Sequence, residues 1–149
     1  MKLNKLVKVF VMFLAILFVS GCNDKIKVKN IVPSIEQFQT YEITSYMGNN
    51  VNYSLDESII NSIKEDMVYF YECKYYTADT TRTPLVQLTI TADGNKLDFI
   101  CALDSNENRC YMLHINEVSY NIKVNKEFKE EHNFFARLYQ LAGEYYYSK

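Results

Sequence analysis

The chain has 149 residues, of which 16 are basic and 18 are acidic, so its formal net charge is −2. That length suits a single domain of ordinary size. An acidic chain is a poor candidate for nucleic acid, which needs a clustered basic surface, so we expect no nucleic-acid partner.

The first 21 residues have the layout of a secretory signal. Lysines at positions 2, 5 and 8 precede an apolar run that is shorter than the roughly 20 residues a spanning helix needs. The sequence Val19-Ser20-Gly21-Cys22 then resembles the lipobox of bacterial lipoproteins. That resemblance implies cleavage before Cys22 and a diacylglyceryl group on its sulfur. The alternative is an uncleaved anchor helix with a chance cysteine.

Lipidation of Cys22 predicts a protein held on the extracytoplasmic face of the cell membrane, because two or more acyl chains give a stable anchor. Residues 22–34 are polar and charged, and we expect them to form a tether. The domain itself is expected to comprise residues 35–149. Removal of residues 1–21 takes away three lysines and leaves 13 basic and 18 acidic residues, a net charge of −5.

A strand predicted in "FQTYEITSYM" precedes the first helix. Ser54 and Glu57 have the spacing of a capping box. Apolar residues at helical spacing predict a helix from about Leu55 to Met67, with an extension to Tyr71 as the alternative. The residues of the apolar face are Ile59, Ile60, Ile63 and Met67. Asp66 is expected to point away from this face.

The segment "YFYECKYYTADTTRTP" is rich in aromatic residues. Tyrosine rings give a large contact area at low entropic cost, so exposed ones favour binding. We therefore take Tyr69, Tyr75 and Tyr76 as candidate binding residues, and the alternative is a partly buried scaffold. Phe70 and Tyr71 are expected to be mostly buried, and Tyr75 or Tyr76 to be exposed.

Two hairpins follow. Asp93-Gly94 is a favoured type I′ turn, in which both central residues need a positive φ. A two-residue loop there pairs Ala92 with Asn95, Ile90 with Leu97, Leu88 with Phe99 and Val86 with Cys101. A turn at Asn116-Glu117 pairs Ile115 with Val118, Leu113 with Tyr120 and Tyr111 with Ile122. The alternating polar residues predict a sheet with one wet face.

After Val124 the apolar period becomes helical. Asn125 is the expected cap, and the glutamates that follow suit a helix N-terminus. One helix is predicted from about Lys126 to Tyr145. The order of elements predicts an α+β domain, with two helices packed on one face of an antiparallel β-meander of about four to five strands.

Cys73, Cys101 and Cys110 remain in the chain after Cys22. Outside the cytoplasm such residues suggest a disulfide. The hairpin register places Cys101 on the core face and Cys110 on the opposite face, which argues against a bridge between them. Buried cysteines that act as small apolar residues are therefore favoured.

The two histidines belong to different predicted elements, His114 to a strand and His132 to a helix. "HINE" runs from a strand into a tight turn, which does not hold His114 and Glu117 at a common point. "EEH" is interpreted as an acidic helix start with an exposed His132. We therefore predict no metal site and no cofactor. The sequence contains no glycine-rich phosphate loop and no nucleophile elbow, so no catalytic residue is assigned.

The mature part also resembles small lipoproteins of Gram-positive type, through "YEITSY", "DESIINSI" and "TRTPLVQLTI". The resemblance implies a place in the cell envelope and no particular activity. We expect a lipid-anchored binding or protein-interaction module, with the membrane (through Cys22) and an envelope protein or glycan as partners. One alternative is a small hydrolase that uses His114, His132 or the loop at residues 104–107. Another is an inhibitor-like domain.

Overall fold

The computed structural model describes residues 26–47, 51–77 and 82–147. Two short 3₁₀ turns, Val28–Asn30 and Ile35–Gln37, precede the main elements. In chain order these are β1 (Phe38–Ser45), β2 (Val51–Ser54), α1 (Glu57–Tyr71), β3 (Lys74–Thr77), β4 (Thr83–Ala92), β5 (Asn95–Leu103), β6 (Arg109–Ile115), β7 (Val118–Lys123), α2 (Lys126–Glu130) and α3 (Phe134–Tyr147). Within the described ranges, no helix combines the length and apolar character needed to cross a membrane.

The strands form one antiparallel sheet of seven strands, in the order β2-β1-β4-β5-β6-β7-β3. The α+β class and the central meander β4–β7 are confirmed. The strand count is higher than the predicted four to five, because β2 extends one edge and β3 the other. Each of these two edge strands has only four residues, too few for a clear alternation in the sequence.

The predicted registers of both hairpins are confirmed, pair by pair. Asp93 and Gly94 have φ of 49° and 77°, and Asn116 and Glu117 have φ of 49° and 69°. These positive angles match the twist of the flanking strands. A slip of one residue in either register would turn the apolar side chains of a strand to the opposite face of the sheet. The turn residues and the apolar pattern therefore specify the same register.

One continuous core lies between the sheet and the helices, on what we call the inner face. The sheet contributes Ile43, Leu88, Ile90, Leu97, Phe99 and Leu113, and the helices contribute Ile63, Met67, Phe70, Phe128, Phe134 and Phe135. The ring of Phe70 lies 5.2–5.9 Å from four other phenylalanine rings. The residues that the structure describes therefore share a single core.

Helix α1 begins two residues later than predicted and has a different cap. The Asp56 carboxylate accepts a hydrogen bond from the Ile59 N–H at 2.9 Å. Ser54 is the last residue of β2 and lies two residues before this N-cap position, so it is not the cap. The helix ends at Tyr71, which confirms the predicted extension. Asp66, expected to point away from the apolar face, is only 4% exposed.

The last predicted helix is divided in two. Asn125 caps α2 as predicted, since its side chain accepts from the Phe128 N–H at 2.8 Å. The helix ends at Glu130, and α3 begins at Phe134. Successive residues on one helix point about 100° apart. The break lets Phe134 reach the core together with Phe128 and Phe135, and all three are at most 1% exposed.

The segment predicted as a tether is partly folded against the domain. Residues 22–25, including Cys22, lie outside the described residues. Val28 is fully buried, and its N–H donates to the Cys73 carbonyl at 2.9 Å. Lys27 and Lys29 form ion pairs with Glu72 at 2.6 and 2.9 Å. Residues 26–34 thus belong to the domain. The sequence does not indicate this docking, because charged residues alternate with the apolar residues of the segment.

The register between β5 and β6 shows whether Cys101 and Cys110 can form a disulfide. Cys101 faces Tyr111, and Ala102 faces Cys110, so the two cysteines lie on opposite sides of the sheet, as predicted. Cys73 and Cys101 are buried in the inner core. All three cysteines in the described ranges are free thiols.

Candidate functional site

The other side of the sheet, which we call the outer face, has a small apolar floor. Ile100 and Met112 face each other across β5 and β6 and are 6% and 7% exposed, and Ala102 beside them is fully buried. The half-buried Cys110 packs against these three side chains. The pattern of alternation predicts a polar outer face. The uninterrupted apolar run "FICAL" in β5 is the signal that both faces of this strand are covered.

A cavity of about 250 Å³ opens above this floor. We call it the outer-face cavity; it is lined by Arg82, Pro84, Ile100, Ala102, Met112, His114 and Ser119. A second cavity of about 340 Å³ shares His114 and is also lined by Lys96, Asp98, Asn116 and Glu117. His114 is held between the two by the sheet, because it faces Asp98 on β5 and Ser119 on β7.

Two side chains of the cavity lining each carry a buried nitrogen that lacks a hydrogen bond. Arg82 Nε and His114 Nε2 are buried, and neither has a partner in the part of the chain that the structure describes. Leaving a buried donor or acceptor unpaired costs about 1–3 kcal/mol, so native proteins keep few such groups. Two of them around one cavity point to a site that is completed by a bound molecule.

The Asp98 carboxylate next to the site has a hydrogen-bond or ion-pair partner at each oxygen. Asp98 Oδ1 accepts from Thr89 Oγ1 at 2.7 Å and from Gln87 Nε2 at 2.9 Å. Its Oδ2 lies 3.3 Å from Lys96 Nζ. The Tyr46 hydroxyl donates to Gln87 Oε1 at 2.9 Å and extends the network to the residue after β1. Both oxygens of Asp98 are thus engaged by partners other than Arg82.

The positive charge of Arg82 acts on the end of the site near the β5–β6 turn. Hydrogen bonds from the backbone N–H groups of Asn108 and Asn106 lower the pKa of Asp104, and Arg82 adds a smaller contribution in the same direction. Burial raises the pKa of the Cys110 thiol, against a lowering contribution from Arg82. The Arg82 charge therefore favours the anionic form of both groups, although for Cys110 burial outweighs it.

The three tyrosines predicted to bind a partner do not form one surface. Tyr69 lies on α1 and stacks on His132, with 3.5 Å between the ring centroids. Tyr75 lies on the inner side of β3, edge-on to Tyr120. Tyr76 is 54% exposed and faces Asn121 on the outer side.

The expected burial of the neighbouring aromatics holds in part. Phe70 is fully buried, as predicted. Tyr71 is half-buried, and its hydroxyl donates to the Pro33 carbonyl at 2.6 Å. The exposed ring beside the polar loop is Tyr76 rather than Tyr75.

The groups suggested for a hydrolase do not come together either. His132 Nδ1 lies 3.4 Å from Asp66 Oδ1 on the helical side, while His114 is on the outer face. Arg137 Nη2 approaches the other oxygen of Asp66 at 3.2 Å. Asp104 accepts hydrogen bonds within its own turn, from Asn106 and Asn108. In the described ranges no group of three His, Cys, Asp or Glu side chains could hold a metal ion.

A third cavity, of about 580 Å³, lies where β6 and β7 meet α2 and α3. Several of its polar groups have partners inside the protein. Asn133 Nδ2 donates to the Tyr111 hydroxyl at 3.0 Å, and the Arg109 guanidinium lies over the Tyr139 ring at 4.7 Å. Since no unpaired buried atom lines this cavity among the described residues, we take the outer-face cavity as the candidate site.

No protein-family model matches the chain, and neither the curated proteins nor the solved structures give a significant match. The function is therefore inferred from the residues and their geometry.

Proposed function

We propose that the chain is a lipid-anchored binding module that presents the outer-face cavity on the extracytoplasmic side of a cell membrane. The observation that carries the binding function is the pair of buried, unpaired nitrogens of Arg82 and His114 around an apolar floor. The location rests on the lipobox at Val19-Ser20-Gly21-Cys22. An apolar pocket with a few polar groups is the usual form of a small-molecule site.

The methionines provide a direct test of this function. The chain from Ile26 onward contains three of them, Met47, Met67 and Met112. Met112 lines the cavity, whereas Met67 is fully buried in the inner core. Fragments of about ten non-hydrogen atoms, titrated into protein with ¹³C-methyl methionine, should shift the Met112 signal and leave Met67 in place.

A Met112→Leu variant assigns the signal and keeps an apolar floor of similar volume. If no fragment moves Met112, or if the shifts appear at Met67 instead, the outer-face cavity is not a binding site. The described residues from Ile26 onward form one sheet over one core, so the chain that begins at Ile26 is suitable for the measurement.

A small hydrolase remains the second candidate, on one observation. Asp98, His114 and Ser119 occupy one row across β5, β6 and β7 on the outer face. Neighbouring side chains in such a row lie about 4.5–5.5 Å apart at Cβ. No hydrogen bond links His114 to either residue within the described ranges, and Asp98 is held by other partners. Cleavage of p-nitrophenyl butyrate by the parent but not by Ser119→Ala would favour the hydrolase.

A further inference from the structure

We propose that the outer-face cavity binds a small monocarboxylate with a compact apolar body. Arg82 and His114 hold the carboxylate, and Ile100, Ala102 and Met112 contact the body. This inference rests on the proposed binding function and names the ligand class for the same cavity.

The volume of the outer-face cavity limits the size of the part of a ligand that it encloses. A cavity of about 150 Å³ holds benzene, which has six non-hydrogen atoms. In proportion, the 250 Å³ of the outer-face cavity corresponds to about ten non-hydrogen atoms. Octanoate has that size. A whole sugar chain or a folded partner is too large to be enclosed by it.

The floor sets the character of the body. Ile100, Ala102 and Met112 present hydrocarbon and thioether atoms, and they form an apolar cluster separate from the inner core. Burying an apolar body against them removes apolar surface from water on both sides. A ligand that is polar along its whole length would leave its own groups without partners over this floor.

The walls set the charge of the ligand. Arg82 carries a planar guanidinium, whose fork of donors matches a carboxylate in two parallel hydrogen bonds. His114 Nε2 is the second buried nitrogen without a partner in the described part of the chain. The Asp98 carboxylate is held by Thr89, Gln87 and Lys96. The Asp104 carboxylate is close enough to interact with the Arg82 charge, but it takes its hydrogen bonds from its own turn. The cavity therefore combines a positive charge with an apolar floor.

Both nitrogens are covered in the ligand-free arrangement, so a carboxylate reaches them only when a side chain turns. Arg82 stands one residue before β4 and has a long stem, which allows that change without moving the sheet. The cost of the two unpaired nitrogens is removed at the same time, which favours the bound state.

The two histidines make the test selective, since His114 lines the cavity and His132 lies on the other side of the sheet. The chain from Ile26 onward is titrated with octanoate, octan-1-ol and octylamine, and the ring nitrogens are followed by NMR. Octanoate should shift the His114 signals and leave those of His132 unchanged. It should bind about tenfold to a hundredfold more tightly than octan-1-ol, the range expected for a charge-assisted hydrogen bond.

Arg82→Gln should weaken octanoate about tenfold or more and leave octan-1-ol unaffected. Arg109→Gln is the matched control, because it removes the same charge beside a different cavity. Equal affinity for octanoate and octan-1-ol, or tighter binding of octylamine, overturns the carboxylate assignment while leaving the binding function standing. If none of the three compounds moves His114 or Met112 while other fragments move Met112, the ligand class is wrong and the binding function stands; if no fragment moves Met112 either, both proposals fail. The comparison of ligands on the parent protein does not depend on any variant folding.

A carboxylate of this kind also occurs at the C-terminus of a peptide. N-acetyl-leucine and the peptide N-acetyl-Ala-Ala-Leu separate the two sources. We expect N-acetyl-leucine to bind at least as tightly as the peptide, because the cavity can enclose little more than the terminal residue. Clearly tighter binding of the peptide would overturn a free acid as the ligand.

Discussion

Two tyrosine hydroxyls near the N-terminal segment differ in a way that matters for stability. The hydroxyl of Tyr71 donates to the Pro33 carbonyl at 2.6 Å. The hydroxyl of Tyr41 is buried and has no partner among the described residues. Desolvation raises the pKa of Tyr41 to about 12, and it is also the main cause of a raised pKa at Tyr71. One hydroxyl therefore stabilises the fold and the other opposes it.

We expect Tyr41→Phe to stabilise the domain by about 1 kcal/mol, because it removes an unpaired buried hydroxyl. Tyr71→Phe is the control and should cost about 1 kcal/mol through its lost hydrogen bond. Urea unfolding at pH 7 measures both changes. A loss of stability in Tyr41→Phe would show that its hydroxyl has a partner after all.

The same residue predicts a pH dependence. A tyrosine in the unfolded chain ionises near pH 10, whereas folded Tyr41 does so at about pH 12. Folding therefore favours the protonated phenol, and this contribution is fully present below about pH 10 and is lost as the pH rises to about 12. The stability of the parent should fall more steeply across this range than that of Tyr41→Phe.

At the scale of elements, a buried acid connects α1 with the segment after α2. Asp66 on α1 approaches His132 at 3.4 Å and Arg137 on α3 at 3.2 Å. Tyr69, one turn further along α1, stacks on the His132 ring. These contacts hold the break between α2 and α3 against α1, where a continuous helix was expected.

Asp66→Asn should destabilise the domain by about 1–2 kcal/mol, because an amide cannot balance the charge of Arg137. The cost stays below that of a fully buried pair, since the side chains of His132 and Arg137 are 28% and 40% exposed and can reach water. Glu65→Gln is the matched control on the neighbouring, exposed acid and should change little. Equal effects of the two substitutions in thermal unfolding would contradict the role of Asp66.

At the scale of the whole molecule, the docked N-terminal segment would limit how far the domain could stand from a membrane if Cys22 carries a lipid. Ile26 is the first described residue, and its carbonyl accepts from the Tyr75 N–H at 2.8 Å. Four residue steps separate Cys22 from Ile26, which span at most about 14 Å when extended. A lipid on Cys22 would therefore hold the domain close to the headgroups.

Cys22→Ala should abolish lipid attachment and leave an unprocessed or slowly processed precursor. The physical reason is that the acyl groups attach to the sulfur, and without them the stable anchor is lost. Detergent phase partitioning and the apparent mass in whole cells measure the outcome. A variant that matures to the same size and partitions like the parent would contradict the lipobox interpretation.

Part of the candidate site could be anticipated from the sequence. The hairpin registers place His114 opposite Ser119, and the run "FICAL" marks a strand covered on both faces. Arg82 could not be assigned to the site, because its place depends on how the chain enters β4. The two unpaired nitrogens are likewise a property of tertiary packing and have no sequence signal.

The sequence by itself determined the turns and faces of the meander and the cap at Asn125, because these depend on residues close together in the chain. Only the tertiary structure decided the burial of Asp66, whose partner Arg137 lies 71 residues away. It also decided the docking of Val28 against Cys73 and the position of β3 at the far edge of the sheet. Contacts between segments that are distant in the chain bury surface in a way that no local sequence pattern describes. For that reason the floor, the walls and the charge of the outer-face cavity come together only in the folded domain.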